Sequence, residues 1–131
     1  MSFENLAIER AGAVATLWLD RPEKLNALHR VLWKSIPSAV ASLDADPDVR
    51  VIVFAARGKA FCAGIDLMDH APSMATGGSL SGRGESVVGK RRALLDDIRG
   101  YQDTASCFAN TNKPVVAAVH GACIGAGMDL I

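Results

Sequence analysis

The N-terminal segment of the chain alternates between apolar and polar positions. Leu6 and Ile8 alternate with polar or small neighbours, a short break of small residues follows at Ala11–Gly12, and an apolar run resumes from Val14 to Leu19. Alternation with a turn residue between two runs is typical of a β-hairpin. The sequence therefore predicts two adjacent strands, which end before Pro22 because proline interrupts strand pairing.

From Leu28 the apolar residues change period and recur every three to four positions as far as Leu43. This spacing is typical of an amphipathic helix. Asn26 precedes the run and belongs to a residue type that caps helices, so it is the predicted N-cap. Pro37 lies inside the run, where it removes one hydrogen bond and costs about 3 kcal/mol. We therefore expect a kink or break between Lys34 and Ser38.

Two later apolar runs differ from the hairpin because they are nearly continuous. Val49 to Ala55 and Val115 to Val119 have the composition of strands buried on both faces. The first run follows the predicted helix at the spacing of a strand–helix–strand crossover. Between the two runs, helical periodicity returns from Val88 to Phe108. The pattern therefore predicts an α/β fold that contains a parallel crossover.

The sequence predicts one domain over residues 1–131, and two further segments of it have distinct patterns. Ala71 to Gly89 is rich in Gly and Ser, so a mobile loop is predicted there. Further on, Gly125–Gly127 opens a helix, and Asp129 to Ile131 resembles the middle of a helical turn that has no capping residue. We therefore expect the chain to be part of a longer protein.

Composition narrows the possible functions. The chain has 131 residues, half of them hydrophobic, and its 14 basic residues balance 14 acidic ones. A neutral chain without a clustered basic excess is not expected to bind nucleic acid. No apolar run approaches the roughly 20 residues that span a bilayer, so no membrane contact is expected. Three scattered cysteines, without metal-ligand spacing and without a signal peptide before them, predict a cytoplasmic protein with no metal site.

Two loops of the chain share one design, in which a buried strand leads through small residues to the start of a helix. They are Phe61–Leu67 and Gly121–Gly127. Small residues let a ligand approach the backbone, and helix N-termini leave N–H donors free. Two such donors converging on one carbonyl oxygen form an oxyanion hole, in which each stabilises a developing enolate by about 2.7–4 kcal/mol. The glycines would equally suit tight strand-to-helix turns alone, and the pattern leaves both interpretations open.

Three segments resemble the successive signatures of the crotonase (enoyl-CoA hydratase/isomerase) superfamily. They are Arg21–Leu28, Gly58–Leu67 and Lys113–Gly121 with its glycine-rich continuation, and they occur in that order across nearly the whole chain. The resemblance implies the N-terminal half of a crotonase-type ββα-repeat spiral that binds an acyl-CoA thioester. Coenzyme A would be part of the substrate, with no other cofactor. The resemblance also implies a homotrimer or hexamer at full length.

The same resemblance assigns roles to individual residues. It implies that the backbone amides of Ala63 and Ala126 donate to the thioester oxygen. Lys24 and Leu25 would line the nucleotide end of CoA. The pantetheine and thioester would lie along the segment made of Ala63, Gly64, Ile65, Asp66 and Leu67.

Asp129 distinguishes the branches of the family. It follows Ala126 by three residues, roughly one helical turn, so its carboxylate can face the same cavity. Hydratases of the family usually have glutamate here. An aspartate, together with the segment Gly64–Asp69, resembles the dienoyl-CoA isomerase branch, which moves a 3,5-diene to 2,4-dienoyl-CoA. We therefore predict such an isomerase, in which Asp129 biases charge or proton position near the dienolate. Enoyl-CoA hydratase is the alternative, and a fragment that only binds CoA or partner subunits is a third.

Overall fold

A four-stranded sheet of order β1-β2-β3-β4 lies at the centre of the protein, in a computed structural model that describes residues 3–70 and 86–131. The strands are β1 (Leu6–Ala11), β2 (Val14–Leu19), β3 (Val51–Ala56) and β4 (Val115–Ala117). β1 and β2 are antiparallel, whereas β2, β3 and β4 run parallel to one another. The predicted hairpin and the predicted parallel crossover are both confirmed.

Helices connect the parallel strands. α1 (Arg30–Ala45) joins β2 to β3, α2 (Val87–Ser106) precedes β4, and α3 (Ala126–Leu130) follows it. A short 3-10 helix, Pro22–Lys24, lies between β2 and α1. Two strands followed by a helix form the ββα unit that the sequence predicts.

The core lies between α1 and the sheet. The buried residues of α1 recur every three or four positions, so they share one side of the helix: Leu32, Trp33, Ile36, Ala39, Val40 and Leu43. They belong to the same hydrophobic cluster as Leu17, Ile52, Phe54 and Phe61. Burial of this stripe, rather than helix propensity, fixes α1 against the sheet.

The N-cap of α1 is His29 and not Asn26. The His29 ring accepts a hydrogen bond from the Leu32 amide, with 3.3 Å between Nδ1 and N. Asn26 is fully buried in a left-handed conformation, with φ of 54°. The prediction was wrong because the asparagine side chain is used by distant backbone groups, described below.

α1 continues through Pro37 as one helix, so the break expected between Lys34 and Ser38 does not occur. Proline leaves the Trp33 carbonyl without its usual donor. The Thr104 hydroxyl on α2 lies 3.3 Å from that carbonyl oxygen and can donate to it. The single hydroxyl hydrogen is shared with the Gly100 carbonyl, 3.1 Å away on α2. A side chain from another helix therefore compensates in part for the missing bond.

β4 is the edge strand of the described sheet and is not buried on both faces. It pairs with β3 on one side, and its Val116 is 53% exposed. Val119, 42% exposed, lies beyond the end of the strand at Ala117. The prediction was wrong because the composition of a strand records the burial it suits. Composition does not say whether other elements cover the strand, and none covers both faces of β4 within residues 3–70 and 86–131.

The predicted mobile loop Ala71–Gly89 lies mostly outside the described residues, which omit 71–85. Its last residues, from Val87, form the first turn of α2. The Ser86 hydroxyl caps that turn by accepting from the Gly89 amide at 3.1 Å. Helix α2 thus begins within the segment that the sequence assigns to the loop.

Candidate functional site

The two small-residue loops lie side by side. The Cys62 amide donates to the Ala122 carbonyl at 3.1 Å, and the Ile124 amide donates to the Cys62 carbonyl at 3.0 Å. These two bonds form a parallel bridge between Cys62 and Cys123. The bridge fixes how the two loop segments lie against each other before each segment turns.

Both loop segments then turn at a glycine with positive φ. Gly64 has φ of 96° and Gly125 has φ of 53°. The turns press together, because a Cβ on Gly64 would lie 3.1 Å from the Ile124 carbonyl oxygen and 3.8 Å from the Ala126 nitrogen. Only glycine fits Gly64 without strain, on grounds of both space and backbone angle.

The residue after each glycine carries an amide with no acceptor among the described residues. These amides belong to Ile65 and Ala126, and neither donates in the hydrogen bonds of residues 3–70 and 86–131. The Cys62–Cys123 bridge brings the two turns together, and a Cβ on Gly64 would lie 3.8 Å from the Ala126 nitrogen. Two unpaired amides on turns in contact meet the hydrogen-bonding requirement of an oxyanion hole, and their convergence on one oxygen stays a prediction.

Ala63, the other predicted donor, does not fit that role. Its amide donates to the Leu25 carbonyl at 3.0 Å and is therefore already used by the scaffold. In the register of the bridge, Ala63 lies opposite Ile124, whose amide is used in the same way. The structure therefore favours Ile65 over Ala63 as the partner of Ala126.

The predicted nucleotide-end residues adjoin this segment. Lys24 and Leu25 are exposed at the end of the 3-10 helix, and Leu25 has a left-handed φ of 51°. The bond from Ala63 to Leu25 and a bridge between Leu28 and Ile65 hold the two segments together. The structure thus brings Lys24 and Leu25 next to the residues predicted to hold the thioester.

Asp66 is part of the scaffold through its side chain. Its carboxylate accepts from the Arg21 guanidinium at 2.7 Å and from the Met68 amide at 3.1 Å. The hydrogen bond from Arg21 lowers the pKa of the Asp66 carboxyl, and the Met68 and Asp69 amides add to that effect. Of the other predicted residues here, Leu67 is 63% exposed. Asp66 therefore holds the turn rather than offering a free carboxylate.

Asn26 stabilises the same segment through hydrogen bonds to the backbone. Its side-chain oxygen accepts from the Arg21 amide at 2.8 Å. Its nitrogen donates to the carbonyls of Arg57 and Ala60 at 2.8 and 2.9 Å. Every hydrogen of this buried amide group is used, so Asn26 ties the Arg21 segment to the strand end that leads into the site.

Asp129 lies on α3 and is one of the residues that line a pocket of about 260 Å³ between α2 and β4. The pocket is largely apolar: its other lining residues are Phe54, Ala105, Phe108, Ala109, Val115, Ala117, Leu130 and Ile131. Ile65 and Ala126 are not among these described lining residues. Convergence of Asp129 with the two amides on one ligand thus stays a prediction.

The sequence interpretation missed Ile65 as a candidate donor and missed the scaffold roles of Arg21 and Asn26. A signal for Ile65 was present, since each free amide directly follows a glycine: Gly64–Ile65 and Gly125–Ala126. No group of three or more potential metal ligands lies together in the part of the chain that the structure describes. Nor is any helix of that part long and apolar enough to cross a membrane.

The fold and these turns agree with a known family. The model of the enoyl-CoA hydratase/isomerase family matches residues 9–131. The chain therefore belongs to the enoyl-CoA hydratase/isomerase, or crotonase, family. Its α/β architecture is the fold of that family.

Named relatives fall into both of its reaction classes. The mitochondrial Delta(3,5)-Delta(2,4)-dienoyl-CoA isomerase of Homo sapiens is 39% identical over 131 residues, which cover 99% of this chain and 38% of the relative. A "Probable enoyl-CoA hydratase" of Rhizobium meliloti is 35% identical over 130 residues, 99% of this chain and 44% of the relative. The chain thus spans less than half the length of these relatives.

A solved structure of the same family is also similar to this chain. The crystal structure of an enoyl-CoA hydratase/isomerase from Xanthobacter autotrophicus Py2 matches with a TM-score of 0.78 and 29% identity. The match covers 98% of this chain and 43% of that one. The name of the human relative places that protein in mitochondria, and a cytoplasmic location for this chain stays a prediction.

Proposed function

We propose that the protein is an acyl-CoA isomerase that moves a 3,5-diene to 2,4-dienoyl-CoA through an enolate. The observation that supports the enolate step is the pair of unpaired amides at Ile65 and Ala126 on two turns in contact. The similarity to a dienoyl-CoA isomerase over 99% of the chain supports this reaction class.

The chemistry follows from where charge develops. Removing a proton from the acyl chain of a thioester moves negative charge onto its carbonyl oxygen. Two backbone donors aimed at that oxygen stabilise the enolate more than the neutral thioester, so they lower the barrier. Because Arg21 and Asn26 fix the segment that carries Ile65, its amide needs little reorganisation during the reaction.

Asp129 would act on the acyl side of the substrate. Asp129 lines a largely apolar pocket that suits a hydrocarbon chain. In the isomerase, a carboxylate there biases charge or proton position along the dienolate. Lys24 and Leu25, exposed beside the first turn, would contact the nucleotide end of CoA.

Enoyl-CoA hydratase is the second candidate function, and similarity to the Rhizobium meliloti protein favours it. The same oxyanion hole serves both reactions, since water addition to a 2-enoyl thioester also passes through an enolate. The two differ in whether a positioned water takes part. The amides alone therefore do not separate them.

One assay separates the candidates. The full-length protein is given a 3,5-dienoyl-CoA and, separately, a simple 2-enoyl-CoA, and the absorbance of the conjugated diene and of the enoyl thioester is followed. An isomerase converts the first substrate and hydrates the second little. Brisk hydration with no conversion of the diene would replace the isomerase proposal by the hydratase one.

A further inference from the structure

Cys62 and Cys123 face each other across the bridge that joins the two turns. Paired strands lie about 4.7–4.9 Å apart, and residues paired in this way project their side chains to the same face. A disulfide forms between Cα atoms that are about 4.4–6.8 Å apart. The usual spacing of a bridged pair therefore falls within the Cα range of a disulfide.

Both sulfur atoms lie close to Gly127, on the side where a side chain would project. A Cβ built on Gly127 would lie 3.1 Å from the Cys62 Sγ and 3.3 Å from the Cys123 Sγ. The absence of a side chain at Gly127 leaves room for both sulfurs at the start of α3. Side-chain direction thus agrees with backbone distance.

The two thiols differ in how they meet solvent. Cys62 is fully buried, whereas Cys123 is partly exposed. Burial raises the pKa of the Cys62 thiol to about 11 and also raises the pKa of Cys123. Both groups are thiols at neutral pH, so oxidation is slow and begins at the accessible sulfur. A reduced pair is the resting state.

We propose that Cys62 and Cys123 form a reversible disulfide when the protein meets hydrogen peroxide, and that this bond joins the two turns covalently. The Cys123 sulfur attacks the peroxide, the O–O bond breaks, and a sulfenic acid and water form. The Cys62 sulfur then attacks the sulfenic sulfur, the S–S bond forms, and a second water leaves with the thiol proton. The two thiols lose two electrons and the peroxide gains them.

The bond would alter the contacts of the first turn. The Cys62 sulfur accepts from the Gly64 amide at 3.4 Å and lies 3.3 Å from the Asn26 carbonyl oxygen, to which its thiol can donate. A disulfide removes that thiol hydrogen and draws the sulfur toward Cys123. Because Gly64 precedes Ile65, an effect on turnover is expected, and this consequence alone rests on the proposed function.

The test uses the purified protein and hydrogen peroxide. The reduced protein is treated with peroxide, the remaining thiols are alkylated, and proteolytic peptides are mapped by mass spectrometry without reduction. We expect one linked peptide pair that contains Cys62 and Cys123, and dithiothreitol should separate it. Cys107 should be alkylated as before, since it lies apart from the pair at the end of α2.

Variants make the assignment specific. Cys123→Ser and Cys62→Ala should each abolish the linked pair, while Cys107→Ser should leave its yield unchanged. Circular dichroism checks each variant for folding, and Cys123→Ser is the safer one because Cys62 is fully buried. The proposal is overturned if peroxide oxidises Cys123 or Cys107 alone, or links chains to one another, while Cys62 stays free. Bond mapping needs no activity, so its outcome is independent of the proposed reaction.

Discussion

At the scale of single residues, the charged and polar side chains around the first turn are used by the scaffold. Arg21 donates both to the Asp66 carboxylate and to the Ala27 carbonyl, at 2.7 and 2.9 Å. Asn26 uses all of its hydrogen-bonding groups on the backbone. In the proposed function, the chemistry is left to the backbone amide of Ile65, whose segment these side chains hold in place.

Asp66→Asn should therefore destabilise the fold in a pH-dependent way. The hydrogen bond from Arg21 lowers the folded-state pKa of Asp66. Its stabilisation is present above the unfolded value of about 3.9 and is lost as pH falls through the folded pKa. We expect Asp66→Asn to lower the free energy of unfolding at pH 7 and to lower it progressively less toward pH 3.

Urea unfolding at several pH values measures this difference. Asp48→Asn is the control, because Asp48 is exposed and its carboxylate has no hydrogen bond or ion pair within residues 3–70 and 86–131. It should have little effect at any pH. An equal loss for Asp66→Asn at pH 7 and pH 3 would show that the ion pair with Arg21 does not stabilise the fold.

Replacing single amides by esters tests which backbone group is the donor. An ester at Ile65 removes the N–H without changing a side chain, and kcat of the full-length protein should fall by about 10²–10³. An ester at Ala63 removes the bond to Leu25 instead. It should lower stability with a much smaller change in kcat. The reverse pattern would restore the Ala63 assignment.

At the scale of elements, glycines decide how closely loops approach one another. Gly121 and Gly12 make an informative pair, with φ of 60° and 59°. A Cβ on Gly121 would lie 2.4 Å from the Lys59 carbonyl oxygen, whereas nothing lies within 4 Å of one on Gly12. The two positions share backbone strain but differ in space.

The comparison of Gly121→Ala with Gly12→Ala isolates that contact. Gly12→Ala should cost about 1–2 kcal/mol through its left-handed backbone alone. Gly121→Ala should cost clearly more, because the Lys59 carbonyl is backbone and cannot swing aside. Chemical unfolding of both variants gives the difference. Equal losses would mean that the loop of Gly121 moves away from Lys59 at no cost.

The contact between α1 and α2 is a second case at this scale. Thr104→Val leaves the buried Trp33 carbonyl without a donor, which should cost about 1–3 kcal/mol. In a Pro37→Ala background the backbone N–H of residue 37 can supply the bond, so the same change should cost less. A double-mutant cycle by urea unfolding measures the coupling.

Thr104→Ser serves as the control for this cycle, since it keeps the hydroxyl. It should destabilise the protein less than Thr104→Val when Pro37 is present. Identical costs of Thr104→Val in both backgrounds would argue against the bond to Trp33. The Thr104 hydroxyl would then serve only the Gly100 carbonyl, 3.1 Å away on its own helix.

At the scale of the whole molecule, apolar residues are exposed along β4 and the turn that follows it. Val116, Ile124 and Met128 are 53%, 59% and 57% exposed, and β4 leaves one edge of the described sheet open. Exposed apolar surface next to an open edge favours association. The predicted homotrimer or hexamer of the full-length protein stays a prediction.

The chain of residues 1–131 should accordingly self-associate as its concentration rises. Val116→Lys should weaken the association because it places a charge on the open edge. Val31→Lys is the control, since Val31 is similarly exposed, at 54%, but lies on α1. Sedimentation velocity follows both variants. Association that is unaffected by Val116→Lys would locate the contact elsewhere.

The sequence by itself determined the order and type of the elements. Period-two alternation, helical periodicity and continuous apolar runs are local patterns, so the hairpin, α1, α2 and the parallel crossover could all be read from it. It also located both loops of the candidate site, because small residues between a strand and a helix are a local feature of the sequence. The family signatures lie in the same segments, and the family model confirms them.

The tertiary structure decided which groups within those elements are free. Ala63 and Ile65 both lie in one loop, and only the approach of Leu25 shows that the Ala63 amide is used. The Thr104 hydroxyl lies within hydrogen-bonding distance of the carbonyl that Pro37 leaves without a donor, and Asn26 serves distant carbonyls rather than a helix start. In each case the partner lies far along the chain or on another element. Hydrogen bonding depends on such partners, and local pattern cannot supply them.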